Sequence, residues 1–89
     1  MTNRYTVGFT GAALKQLEKL PVRVRQRIVT AVERLSDNPR PSTAAKLSGH
    51  EDIYRIRVGD YRVVYEVEDE RLVVLVLRVA HRKDAYRGM

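Results

Sequence analysis

Two strands and the turn between them can be read in Ile53-Tyr54-Arg55-Ile56-Arg57-Val58-Gly59-Asp60-Tyr61-Arg62-Val63-Val64-Tyr65-Glu66-Val67. β-branched and aromatic residues dominate both arms of this stretch, as is typical of strands. Gly59-Asp60 is a dipeptide that closes two-residue hairpin turns. The stretch therefore predicts an antiparallel hairpin with strands over 53–58 and 61–67.

The register of this hairpin places arginines together on one face. Arg57 falls directly opposite Arg62, and the two-residue period of a strand puts Arg55 on the same side. Like charges in opposed positions destabilise a sheet by a few tenths to about 1 kcal/mol, whereas a phosphate binds guanidinium groups through charge-assisted hydrogen bonds. We predict an anion site on this face. The alternative is a solvated face on which the arginines pair with Glu66 or Asp84.

The segments around the hairpin complete a sheet. Glu68-Asp69-Glu70 reads as a second turn, and residues 71–79 read as a third strand because Val and Leu dominate them. Tyr5-Thr6-Val7-Gly8-Phe9 alternates as a short N-terminal strand. The segment over 44–47 is compatible with a helical turn or with an extended conformation.

Two amphipathic helices lie between the first strand and the hairpin. Thr10 is a candidate cap for the first, and Pro21 fits the first turn of the second. The second helix carries an apolar stripe at spacings of three and four; the stripe consists of Val24, Ile28, Ala31, Val32 and Leu35. We predict an α+β fold: a short N-terminal strand, a two-helix hairpin and a three-stranded antiparallel meander, forming one sheet with the helices on one face, then a short C-terminal segment.

The composition limits the possible functions. The chain has 89 residues, which predicts one domain over 1–89, and it carries a formal net charge of +6, which suits a polyanionic partner. With no cysteine and two separate histidines, neither a metal site nor another cofactor is expected. No apolar run reaches membrane-spanning length and no signal peptide is evident, so we expect a cytoplasmic protein without membrane contacts.

The end of the chain combines groups suited to proton transfer on a phosphodiester. Ala80-His81-Arg82-Lys83-Asp84-Ala85-Tyr86-Arg87 contains an imidazole, three cations and a phenol. A histidine side chain such as that of His81 is suited to general acid–base catalysis, and neighbouring guanidinium groups are expected to favour the phenolate form of Tyr86. A surface or packing role is the alternative for both residues.

The sequence resembles the RelE toxins of bacterial type II toxin–antitoxin systems. The resemblance rests on Lys46-Leu47-Ser48-Gly49, on YRIRVGDYRVVYEV over 54–67 and on VAHRKDAYR over 79–87. It extends over nearly the whole chain, including the order of strand, helical hairpin and meander. Either of the two longer motifs alone would indicate only the wider RelE/ParE superfamily.

The resemblance implies a ribosome-dependent mRNA endoribonuclease, an mRNA interferase. The family's catalytic positions fall on Arg55, Arg57, Arg62, Arg82 and Tyr86, with His81 at a position that is basic or histidine in relatives. Many relatives have Lys where this chain has Arg55 or Arg57. Because an arginine does not lose its proton, neither residue is a credible general base here.

The expected reaction is metal-independent. The ribose 2′-OH would attack the adjacent phosphate and leave a 2′,3′-cyclic phosphate and a 5′-OH, while the arginines stabilise the charge on phosphate. Tyr86 is expected to act as the base or, alternatively, to stack on a nucleobase. His81 or Arg82 is expected to assist the leaving oxygen.

The resemblance also implies partners. An acidic, partly disordered segment of a cognate antitoxin would wrap the basic toxin, and operator DNA would be bound only through that complex. RNA or ribosome binding is expected from further cations, namely Arg23, Arg27, Arg34, Lys46, Lys83 and Arg87. A solvated helix face is the alternative for those on the second helix. Two other functions stay open: a ParE-like inhibitor of DNA gyrase, and a non-catalytic nucleic-acid-binding module.

Overall fold

The computed structural model describes residues 4–83. The elements are, in chain order, β1 (Thr6–Phe9), α1 (Gly11–Glu18), α2 (Val22–Arg34), β2 (Ala45–Lys46), β3 (Ile53–Val58), β4 (Tyr61–Glu68) and β5 (Val73–His81). The strands form one sheet in the order β1-β5-β4-β3-β2, in which β1 is parallel to β5 and the other pairs are antiparallel. The predicted α+β arrangement is confirmed. Of the predicted C-terminal segment after residue 79, residues 80 and 81 belong to β5, and residues 84–89 lie outside the described residues.

The β3–β4 hairpin has the predicted register. Val58 pairs with Tyr61, and Arg57 pairs with Arg62. Gly59 has a φ of 59°, in the left-handed region that favours glycine, which matches a type II′ turn with glycine at its first central position. The glycine therefore fixes the turn on which the facing arginines depend.

Strand β5 differs from the prediction at both ends. It begins at Val73 rather than at residue 71 because Leu72 has a φ of 54°, a conformation that does not continue a strand. It ends at His81 rather than at residue 79 because its pairing with β4 continues as far as Tyr61. The strand is therefore shifted toward the C-terminus by two residues.

The residue just before each helix marks the point at which the helix begins. The Thr10 hydroxyl oxygen accepts a hydrogen bond from the Ala13 N–H at 3.1 Å, which confirms the predicted cap of α1. Pro21 lies just before α2 rather than in its first turn, so that prediction is wrong by one position. Its ψ of 149° is extended, and its carbonyl accepts a bond from the Arg25 N–H at 2.9 Å.

The core fills the space between the helices and one face of the sheet. Its fully buried side chains come from α2 and the central strands and include Ile28, Val32, Leu35, Val63, Tyr65, Val67, Val74 and Val76. The Tyr65 hydroxyl donates to the Pro39 carbonyl at 2.7 Å, so this buried polar atom is satisfied. Burial raises the pKa of Tyr65 to about 12.

The segment over 44–47 is extended. Ala45 pairs with Arg55 and Lys46 with Tyr54, which makes β2 a two-residue edge strand. This strand borders only the middle of β3. The end of β3, at Arg57 and Val58, instead borders α2.

Candidate nucleic-acid interface

Two rows of side chains cross three adjacent strands on the side of the sheet that points away from the helices. The row nearest the hairpin turn consists of Arg57, Arg62 and Ala80, and the next row consists of Arg55, Val64 and Arg78. Directly paired residues lie on the same side of a sheet. Four guanidinium groups therefore share this surface, which we call the arginine face.

Arg62 lies at the centre of the first row. Its side chain is half-buried, and no residue of the described part, 4–83, supplies a hydrogen-bond acceptor to its buried Nε and Nη1 atoms. Arg57, directly opposite, is exposed. Within residues 4–83, no carboxylate forms a salt bridge with either guanidinium. Buried N–H groups without acceptors are costly, and an anion bound beside the two arginines would offset their opposed charges.

Arg78 belongs to the arginine face although the sequence did not predict it. Strict alternation from the buried Val74 and Val76 turns Arg78 toward the helices. A register shift between Val64 and Tyr65 pairs Arg78 with Val64 instead and brings it to the outer face. The available signal was the charge itself, because an arginine is out of place on the buried side of a strand.

Side chains of the first helix stabilise the shifted part of β5. The Thr10 hydroxyl donates to the Leu77 carbonyl at 3.1 Å, and the Gln16 side-chain oxygen accepts from the Val79 N–H at 2.7 Å. The pairing of β1 with β5 ends at Val76. These two side chains therefore make the hydrogen bonds that a paired strand would otherwise make, and they fix the backbone on either side of Arg78.

A groove runs between α2 and the end of β3, and we call it the α2 groove. Arg23, Arg27 and Arg34 line it together with Arg57 of the arginine face, and its volume is about 610 Å³. The Arg27 guanidinium lies over the hairpin turn, 3.4 Å from the position that a Cβ on Gly59 would occupy. The structure thus places the helix arginines beside the arginine face, a proximity that the sequence did not reveal.

His81 lies on the other side of the sheet from the arginine face. It pairs with Tyr61, one position away from the pairing that holds Arg62. The His81 ring contacts the Tyr61 ring edge-on, with 5.5 Å between centroids, and its Nδ1 accepts from the Lys83 N–H at 3.3 Å. The register therefore does not bring His81 and Arg62 together.

The other candidates lie around the end of β5 or on the edge strand. Arg82 is exposed, and its main-chain N–H donates to the Asp60 carbonyl at 2.8 Å, which holds it beside the hairpin turn. Lys46 and Lys83 are exposed. Tyr86 and Arg87 lie outside the described residues.

A second polar network lies at the opposite end of β4 from the hairpin turn. Arg40 donates to the two Asp69 carboxylate oxygens at 2.9 and 2.8 Å and to the Tyr54 hydroxyl at 2.9 Å. The Tyr5 hydroxyl donates to the same carboxylate at 2.6 Å. The hydrogen bonds from Arg40 and then from Tyr5 lower the pKa of Asp69 to about 2. The network joins β1, the β4–β5 turn and the loop after α2.

Residues 4–83 contain no group of three or more His, Cys, Asp or Glu side chains that could hold a metal ion. No helix in this part of the chain is both long and apolar enough to cross a membrane. What the arginine face offers chemically is fixed positive charge and N–H donors in guanidinium geometry, which suits phosphate oxygens.

The chain is similar to known toxins. Residues 7–86 match the family described as ParE toxin of type II toxin–antitoxin system, parDE. The chain is 40% identical over 88 residues to toxin RelG of Mycobacterium tuberculosis, which covers 93% of this chain and 97% of that protein. It is 37% identical over 81 residues to the mRNA interferase toxin RelE of Escherichia coli K12, which covers 89% of this chain and 84% of that protein.

The fold is shared as well. A chain of the toxin–antitoxin complex RelBE2 from Mycobacterium tuberculosis superposes with a TM-score of 0.80 at 36% sequence identity, covering 94% of this chain and 98% of that one. The family match and these identities show that the chain belongs to the RelE/ParE superfamily of toxins from type II toxin–antitoxin systems.

Proposed function

We propose that this toxin is a metal-independent endoribonuclease that cuts mRNA on the ribosome and thereby inhibits translation. The observation that carries the proposal is the opposed pair of Arg57 and Arg62, which lie on one face of the sheet and form no salt bridge with any carboxylate of residues 4–83. The similarity to a protein named mRNA interferase toxin RelE supports the same activity here.

The proposed reaction is an internal phosphoryl transfer. The ribose 2′-oxygen attacks the adjacent phosphorus, and the bond between phosphorus and the 5′-oxygen of the next nucleotide breaks. The 2′-OH proton passes to a base, and the leaving oxygen takes up a proton. The products are a 2′,3′-cyclic phosphate and a 5′-OH. Fixed positive charge beside the reacting phosphate lowers the barrier by about 2–4 kcal/mol for each well-placed donor.

The arginine face supplies that charge. Arg62 donates guanidinium N–H groups to the non-bridging oxygens, and Arg57 and Arg55 reach the phosphate from the neighbouring strand. Arg78 adds positive charge from β5. None of the four is the base, because a guanidinium does not lose its proton in proteins.

Proton transfer is assigned to the end of the chain. Tyr86 is the proposed base; Tyr86→Phe should abolish cleavage while ribosome binding persists, and near-normal cleavage would instead leave Tyr86 a stacking role. Arg82 stabilises the charge on the leaving oxygen, which takes its proton from water. Because the register turns His81 toward Tyr61, His81 has a smaller effect than Arg82.

Two kinds of partner follow. Cations outside the arginine face supply affinity for the backbone of the mRNA and of the ribosomal RNA. They are Arg23, Arg27, Arg34, Lys46, Lys83 and Arg87.

A cognate antitoxin is supported by the similarity to a chain solved in the RelBE2 toxin–antitoxin complex. Its acidic segment would lie on the arginine face, offset part of the +6 charge and exclude phosphate. Operator DNA would be bound through the antitoxin.

The test compares one mRNA on programmed ribosomes and free in solution, with the purified protein in both reactions. The expected result is cleavage on the ribosome only, with 5′-OH ends that a kinase labels without prior phosphatase treatment. Cleavage that requires added metal, or that leaves 5′-phosphates, would contradict the reaction.

The second candidate function is inhibition of DNA gyrase, which the family description as a ParE toxin favours. The two functions are separated by a supercoiling assay with purified gyrase, run beside the ribosome assay. Intact mRNA together with lost supercoiling would establish the gyrase inhibitor. Cut mRNA together with normal supercoiling would establish the interferase.

A further inference from the structure

We propose that the α2 groove binds the phosphates of the mRNA strand next to the scissile phosphate. This inference rests on the proposed function and specifies how the substrate strand leaves the arginine face. The groove is lined by Arg23, Arg27 and Arg34 on the helix and by Arg57 on the strand. Arg57 belongs to the arginine face and also lines the groove, so the two surfaces meet at this residue.

The helix side of the groove is a continuous stripe of donors. Arg23, Arg27, Thr30 and Arg34 are spaced by four, three and four residues, which places them on one face of α2. With a rise of about 1.5 Å per residue, the stripe from Arg23 to Arg34 is about 16 Å long. That length accommodates more than one phosphate along an extended strand.

No carboxylate of residues 4–83 neutralises the charges on this stripe. Within the described part of the chain, 4–83, none of the three helix arginines forms a salt bridge, and neither does Arg57. Asp60, in the hairpin turn, lines a neighbouring pocket together with Arg27 but is not within salt-bridge distance of it. Like charges four residues apart weaken a helix, and a bound polyanion removes that repulsion.

The lining also indicates what part of the RNA is held. It contains arginines, Gln26 and Thr30, with Ala31 and Val58 as apolar members and no aromatic side chain. Bases stack on aromatic rings, whereas phosphates are held by cations and hydroxyl groups. The groove therefore holds backbone, and its contribution to affinity does not depend on the nucleotide sequence.

The first experiment measures binding of a short single-stranded RNA to the purified protein as a function of salt. The variants are Arg27→Gln and the matched control Lys15→Gln, which removes one exposed charge from the other helix. A variant that makes one phosphate contact fewer on a single strand should show a slope of log K against log salt that is shallower by about 0.7. We expect this decrease for Arg27→Gln and none for Lys15→Gln. Equal slopes for both variants would overturn the inference.

The second experiment identifies which RNA occupies the groove on the ribosome. A photoreactive benzoylphenylalanine replaces Gln26, which lines the groove without carrying charge, and Glu18, exposed on α1, carries the same probe as a control. We expect crosslinks from position 26 to mRNA within a few nucleotides of the cut and none from position 18. Crosslinks from position 26 to ribosomal RNA alone would overturn the assignment to mRNA.

The two proposals fail in different ways. If the wild type cuts mRNA and Arg27→Gln binds and cuts like Lys15→Gln, the groove inference is wrong and the ribonuclease stands. If the wild type cuts nothing but RNA binding still depends on Arg27, the ribonuclease proposal is wrong and the groove remains an RNA-binding site.

Discussion

Replacing Arg62 by methionine should make the protein more stable. Arg62→Met keeps an unbranched apolar stem but removes the guanidinium that faces Arg57. Relief of the opposed charges contributes a few tenths to about 1 kcal/mol. Removal of two buried N–H groups that find no acceptor within residues 4–83 contributes about 1 kcal/mol or more. The free energy of unfolding should therefore rise by about 1–3 kcal/mol.

Urea unfolding of the wild type and Arg62→Met measures this gain. An increase of 1 kcal/mol moves the thermal midpoint of a chain of this size by roughly 4–8 °C, so melting curves report it independently. Arg71→Met is the control, because Arg71 is exposed and forms a surface salt bridge with Glu68 at 3.2 Å; its effect should stay within about 0.5 kcal/mol. A decrease of more than about 1 kcal/mol in Arg62→Met would show that the guanidinium is stabilised by partners in the free protein, and the anion site would lose its main support.

Three further predictions concern the support of the site and its chemistry. The pKa of Asp69 is lowered to about 2 from an ordinary value of about 3.9. Its contribution to stability is therefore complete above about pH 4 and disappears as the pH falls through 2. In urea titrations, Asp69→Asn should be less stable than the wild type at pH 7, and the difference should shrink as the pH falls toward 2 and vanish below it. A difference in stability that does not change with pH would refute this. Gln16→Leu leaves the Val79 N–H without its acceptor and should cost about 1–3 kcal/mol in urea unfolding; Gln16→Glu, which keeps an acceptor, should cost less, and equal costs would point to packing alone. Arg82→Gln should slow ribosomal cleavage at least ten times more than His81→Gln, and the reverse order would place His81 at the phosphate.

The sequence predicted the elements that rest on local chemistry. Because a two-residue turn and the alternation of a strand determine register, the pairing of Arg57 with Arg62 followed directly from Gly59-Asp60. The cap at Thr10 and the apolar stripe of α2 were equally local. Each of these features is determined by residues within a few positions of one another.

The features that the sequence did not predict depend on contacts between distant parts of the chain. Arg78 reaches the arginine face through a register shift in the β4–β5 pairing, where Gln16, 63 residues away from Val79, supplies the hydrogen bond that a strand neighbour would make. The α2 groove required the packing of a helix beside β3, which no periodicity specifies. His81 was expected to work with the arginines, and the continued pairing of β5 with Tyr61 placed it on the other side of the sheet.

The central claim is that the arginine face carries out RNA cleavage, and single-turnover cleavage on programmed ribosomes tests it most directly. Wild type, Arg62→Gln and the exposed control Arg71→Gln are compared at saturating protein, with ribosome binding measured in parallel by sedimentation. We predict that Arg62→Gln binds the ribosome but cleaves about 100 to 1,000 times more slowly, while Arg71→Gln matches the wild type. Cleavage by Arg62→Gln at the wild-type rate would contradict the account.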